Sequence, residues 1–138
     1  MGAEDKIERS GLDTDMTACI CVGAGGFVGA VFRYLLSGLH TGSSGFPVMT
    51  LIINIAGAFA IGALMGAAEK TGFPDGNLML FLKVGVCGGF TTFSTYVLEL
   101  SGLFTEGRWS MGVLYGLLSV VLCLGAVYAG QAAAKALM

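Results

Sequence analysis

The densest run of chemistry-bearing residues is Gly85-Val-Cys-Gly88-Gly89-Phe-Thr91-Thr92-Phe93-Ser94-Thr95-Tyr96. Adjacent glycines loosen a helical backbone, and the hydroxyls that follow can cap a restarting helix, so a break at Gly88-Gly89 is predicted. Carbonyls freed at a break suit a small cation. The freed N–H groups and positive end of the second half suit an anion. Phe93 and Tyr96 are three apart and share a helix face, and aromatic rings carry a positive edge that can face an anion.

Six further positions bear on such a site. Asn54, in Thr50-Leu-Ile-Ile-Asn54-Ile-Ala-Gly57, carries a carboxamide that either bonds a neighbouring helix or donates to a passing anion. Tyr115, Ser119 and Cys123 recur every four residues and align one polar track on an otherwise apolar helix. Arg33 either snorkels to an interface or draws anions toward a mouth. Glu99 has a structural role, paired with a cation or a capping group. The glycines of Gly23-Ala-Gly-Gly26-Phe-Val-Gly29 loosely fit a nucleotide fingerprint. No Asp or Glu follows before Glu69, however, and no strand–helix alternation appears, so they form a helix-packing face.

The elements that must hold these residues are membrane helices. The chain has 138 residues, 55% hydrophobic and 12% charged, and a mean hydropathy of +0.82, well above that of a water-soluble domain. Between Asp15 and Glu69 there is no acid, and Arg33 is the single Lys or Arg. Apolar segments are expected over Thr17–Leu39, Val48–Ala68, Asn77–Leu103 and Trp109–Ala134, each long enough to cross about 30 Å of hydrocarbon. The stretch from His40 to Pro47, rich in Gly and Ser, reads as a loop, and Glu69 to Gly76 as a turn. Residues 1–16 form a polar, acidic tail, mobile or a short surface helix, ahead of a single transmembrane domain over 17–138. Lys6, Arg9, Lys70, Lys83 and Lys135 on the side of the termini face Arg33 and Arg108 on the other, a modest orientation bias.

Net charge −2 provides no basic excess to meet phosphates, which excludes nucleic acid as a partner. Four cysteines without a C-x-x-C or a partner His give no zinc site, and they read as small hydrophobes. An enzyme is excluded by the want of a metal set, a nucleophile or an acid–base pair. Four short helices do not enclose a pore alone, so an oligomer is expected.

Three ordered motifs carry a family resemblance: Gly25-Gly26-x-x-Gly29-Ala30-x-x-Arg33-Tyr34, Thr50-Leu51-x-x-Asn54-x-x-Gly57-x-Phe59-x-x-Gly62, and Gly85-x-x-Gly88-Gly89-x-Thr91-Thr92-Phe93-Ser94-Thr95. From Thr17 on, the chain resembles the Fluc (CrcB) fluoride channels. The resemblance implies an antiparallel, dual-topology homodimer in the cell membrane that passively releases cytoplasmic fluoride and so confers fluoride resistance. It places Asn54, Phe93, Ser94, Thr95, Tyr96, Tyr115, Ser119 and Arg33 on the fluoride pathway. It also implies a structural sodium ion at the dimer centre, held by main-chain carbonyls at Gly88 and Thr91. Tyr96 stands where phenylalanine is usual in the family, and Cys123 where serine is often found. The competing readings are a proton-coupled exporter of cationic compounds, which would want a carboxylate in the first span where this chain has none, and a non-conducting scaffold.

Overall fold

The computed structural model describes residues 3–39, 45–72, 74 and 76–138, with side chains from Met16 onward. Parts of both expected connections, residues 40–44 and Phe73 and Asp75, lie outside the described residues, as do Met1 and Gly2. Among the described residues six α-helices appear in order: α1 (Ala3–Ser37), α2 (Val48–Thr71), α3 (Gly76–Met79), α4 (Gly88–Phe90), α5 (Phe93–Thr105) and α6 (Trp109–Leu137). A π-helical segment, Leu80–Cys87, joins α3 to α4. Among the described residues four stretches are long and apolar enough to cross a membrane: Met16–Ser37, Val48–Thr71, Gly76–Thr105 and Trp109–Leu137. They match the four apolar segments of the sequence to within three residues at each end. The backbone of the polar N-terminal stretch is helical from Ala3 and continuous with the first span.

Elementary stops and starts set these bounds. Gly72 ends α2 in the left-handed conformation, φ 72°, and its N–H donates to the carbonyl of Ala68. Gly107, φ 75°, turns the chain between α5 and α6, and Trp109 stacks on Phe104 with centroids 5.0 Å apart. That aromatic pair lies where an interfacial anchor belongs.

Two pairs of parallel spans make up the bundle, each joined through glycine. In the first pair a Cβ on Gly25 would meet the backbone of Phe81 and Gly85, and one on Gly29 the backbone of Val86 and Phe90. In the second, Gly62 lies against the backbone of Val127, Gly66 against that of Gln131, and Gly130 against that of Phe59 and Ala63. Lipid offers no hydrophobic drive for helix association, so van der Waals contact between closely approaching backbones must supply it. A small core of Leu51, Leu103 and Tyr115, with Phe46, Ile55, Tyr96, Leu100 and Met111 against it, ties α2, α5 and α6 together at one end.

The third span is broken, but not at the glycine pair. Gly88 and Gly89 are helical, and the chain leaves the helix at Thr91 (φ −78°, ψ 155°) and Thr92 (φ −145°, ψ 116°). Gly89 serves packing instead of bending, because a Cβ there would lie 2.6 Å from the carbonyl oxygen of Gly26. Gly29→Ala is expected to cost at least about 1–3 kcal/mol through backbone overlap, whereas Gly23→Ala, with nothing within 4 Å of its Cβ, leaves stability unchanged. Thermal unfolding in detergent compares the two.

Candidate functional site

The break is organised by one carboxamide. Asn54 donates from Nδ2 to the carbonyl of Thr92 at 3.1 Å, and its Oδ1 accepts the N–H of Thr92 at 2.9 Å. Both backbone groups of one extended residue are thereby satisfied from the neighbouring helix, as membrane depth requires. Of the two uses the sequence left open for Asn54, the helix-to-helix bond is the one formed. Gly57, three residues on and on the same face of α2, leaves the space that the Thr91 methyl occupies.

Hydroxyls restart the helix. The N–H of Thr95 donates to the Thr92 side chain at 3.2 Å, a side-chain N-cap. The Thr92 hydroxyl in turn donates to Oγ1 of Thr95 at 2.9 Å and lies 3.5 Å from Oγ of Ser94. On the other side of the break, Thr91 returns both its N–H and its hydroxyl to the carbonyl of Cys87, at 3.0 and 2.9 Å. Arg33, half-buried on α1, donates from Nε to the carbonyl of Gly89 at 3.2 Å, a cation at the C-terminal end of a helix.

This arrangement strips several carbonyls of their helical donors, those of Gly88, Phe90 and Thr91 among them. In an unbroken helix the Gly88 oxygen would accept from Thr92 and the Thr91 oxygen from Thr95. Those donors are instead committed to Asn54 and to the Thr92 side chain. Those of Gly88 and Thr91 are the kind of oxygen ligand that a hard cation takes.

Beside the break opens a cleft of about 310 Å³, lined by Asn54, Ala58, Thr91, Thr92, Phe93, Tyr96, Ser119, Val120 and Cys123. Ser119 is buried and its Oγ has no hydrogen-bond partner. A buried hydroxyl left so is an exception that invites a ligand or water. From the cleft an unbroken series of rings leads inward: Phe93 to Tyr96 at 5.6 Å, Tyr96 to Tyr115 at 5.2 Å, Tyr115 to Phe46 at 5.4 Å. The Tyr96 hydroxyl lies 3.5 Å from the carbonyl of Gly116, at the outer limit of a hydrogen bond.

Of the eight pathway positions inferred from sequence, Asn54, Phe93, Tyr96 and Ser119 line the cleft. Ser94 and Thr95 belong to the helix cap, and Arg33 to the break. Tyr115 is fully buried behind Tyr96 and donates to Oε2 of Glu99 at 2.8 Å. Thr50 donates to the other carboxylate oxygen at 2.7 Å. Sequence reasoning left Glu99 with a structural part and overlooked Thr50. The available signal was the cost of a carboxylate in a span, which demands partners at matching depth.

Comparison with known proteins places these features in context. Residues 20–131 match the family model described as CrcB-like protein, Camphor Resistance (CrcB). A protein of Ruminiclostridium cellulolyticum named fluoride-specific ion channel FluC is 46% identical over 123 residues, covering 88% of this chain and 95% of its own length. Proteins of the same name from Geobacter sulfurreducens, 43% identical over 88% of this chain and all of its own length, and Methanocaldococcus jannaschii, 40% identical over 86% and 94%, are similar.

Asn54→Ala strands the N–H and C=O of Thr92 and is expected to cost about 1–3 kcal/mol for each group left unsatisfied. Hydrogen exchange at the break, with thermal unfolding in detergent, measures it. Unchanged protection of the Thr92 amide would show that the clamp does not hold the break.

Proposed function

This chain belongs to the CrcB family, and from that premise we propose that it is a fluoride-selective channel that lets fluoride leave the cytoplasm passively. It is a multi-pass membrane protein and not an enzyme. The observation that carries the reading is the cleft itself. At mid-span it brings the Asn54 clamp, the rings of Phe93 and Tyr96 and the unpartnered Ser119 hydroxyl together beside the N-terminus of α5. Donors, ring edges and a positive helix end all favour an anion in a place without bulk water. The 40–46% identity to proteins named for fluoride supports that anion in particular.

In this reading Ser119 donates its free O–H to the ion, while Phe93 and Tyr96 offer ring edges. Asn54 keeps one amide hydrogen beyond the bond to Thr92. Arg33, Ser94 and Thr95 act through the shape and polarity of the break. Tyr115, fixed by Glu99, holds Tyr96 in position. Nothing in the fold calls for the cation-exporter alternative, since its first span carries no carboxylate from Met16 to Ser37.

The working unit is a homodimer of antiparallel, dual-topology subunits. Phe93 is 77% exposed at the break, which in a lone subunit leaves a chemistry-bearing ring outside any enclosure. A second copy around the break would close the cleft and double the two spare carbonyls at Gly88 and Thr91. These fit a sodium ion, whose role there is to hold the subunits together, as unwound carbonyls do for alkali cations elsewhere.

Purified protein in liposomes under a potassium–valinomycin drive is expected to release fluoride rapidly and retain chloride. Retention of both anions by correctly inserted protein would overturn the reading. Phe93→Leu should slow fluoride efflux far more than Phe81→Leu, and equal small effects would assign Phe93 to packing. Within one chain a Cβ on Gly88 approaches nothing closer than 3.9 Å. Gly88→Ala is therefore expected to leave the subunit folded but to weaken the dimer, read by cross-linking in sodium against choline salts.

A further inference from the structure

Ser119 and Cys123 lie one turn apart on the same face of α6, separated by about 6 Å along the axis. Both line the cleft. Ser119 is 7% exposed, and its oxygen is buried without a partner. Cys123, half-buried beside it, presents sulfur where a hydroxyl would extend the polar track. A thiol is a weak hydrogen-bond donor and acceptor and contributes little to a small, hard anion. It is, in contrast, a strong ligand for soft cations.

The other cysteines differ in place. Cys87 is buried in the π segment and does not line the cleft. Cys19 and Cys21 lie on α1, none of whose residues reaches it. Only Cys123 therefore combines a thiol in the cleft with a hydroxyl oxygen one turn away that lines the same cleft.

We infer that Cys123 and Ser119 form a binding site for a thiophilic cation inside the conduit, and that its occupation stops anion passage. The inference rests on the channel reading given above. With mercuric chloride as probe, a sulfur–mercury bond forms, one mercury–chlorine bond breaks, and the thiol proton leaves with the chloride. No electron is transferred. The Ser119 oxygen supplies a weak second contact, and the mercury with its remaining chloride occupies the width through which the anion must pass.

The test uses intact protein in fluoride-loaded liposomes, exposed to mercuric chloride, with each variant's efflux divided by its own mercury-free rate. The native chain, a Cys19→Ser/Cys21→Ser variant and Cys87→Ala are expected to slow at least about tenfold, as a plugged pore would, and to recover on addition of dithiothreitol. Cys123→Ser is expected to escape. Intact-mass spectrometry, which does not depend on flux, should find a mercury adduct in Cys19→Ser/Cys21→Ser that is lost when Cys123→Ser is added. Equal inhibition of Cys123→Ser, or an adduct at Cys123 without slowing, would overturn the proposal. Absence of fluoride efflux before mercury is added would instead defeat the channel reading, while the adduct would still report the cation site.

Discussion

A helix opened in the middle of a bilayer leaves N–H and C=O groups that no water is present to satisfy. Asn54 meets that constraint with a two-atom side chain terminus that pairs with both groups of Thr92, and the rest of the site follows from it. Because Thr92 is held extended, its hydroxyl can cap α5, the carbonyls of Gly88 and Thr91 lose their donors, and Phe93 emerges beside the cleft. Arg33 and Thr91 neutralise the carbonyls on the near side of the gap. A fold that could not satisfy Thr92 would close the helix and lose the cleft with it.

The glycine seams fix where the break lies relative to its partners. First and third spans approach through Gly25, Gly29, Gly85 and Gly89, second and fourth through Gly62, Gly66 and Gly130. One end of α2 faces the third span through Thr50, Asn54 and Gly57, spaced four and three apart, while its other end faces α6. A single helix therefore links the clamp, the Glu99 carboxylate and the seam with α6, the helix whose Ser119 and Cys123 line the cleft.

Much of this was legible in the residues. The four spans stand out because lipid demands long uncharged runs, and the broken third span because Gly-Gly and Thr-Thr-x-Ser-Thr coincide. Its position was misplaced by three residues, since a glycine used for close approach and one used for flexibility look alike in sequence, and Gly89 proved to be of the first kind while Gly88 is simply helical. Asn54, Phe93, Tyr96 and Ser119, all singled out from their types or the family resemblance, line one cleft. Tyr115 lies a layer behind it, because a four-residue track on a helix does not reveal which of its members a neighbour covers. The trio of Thr50, Glu99 and Tyr115 joins groups 49 and 16 residues apart, and no local pattern announces such a meeting.

The eight-residue π segment before the break carries a consequence for how this chain tolerates change in length. A π-helix holds extra residues in each turn compared with an α-helix of the same span. Deleting one residue between Leu80 and Cys87 would let the segment tighten toward α-helix with the turns on either side kept close to their present facing. The same deletion in the α-helical turn that follows would rotate everything before it by about a quarter-turn and carry Gly85 away from Gly25. Surplus residues stored as a wider turn thus give the third span one place where a lost residue can be taken up without breaking the first seam.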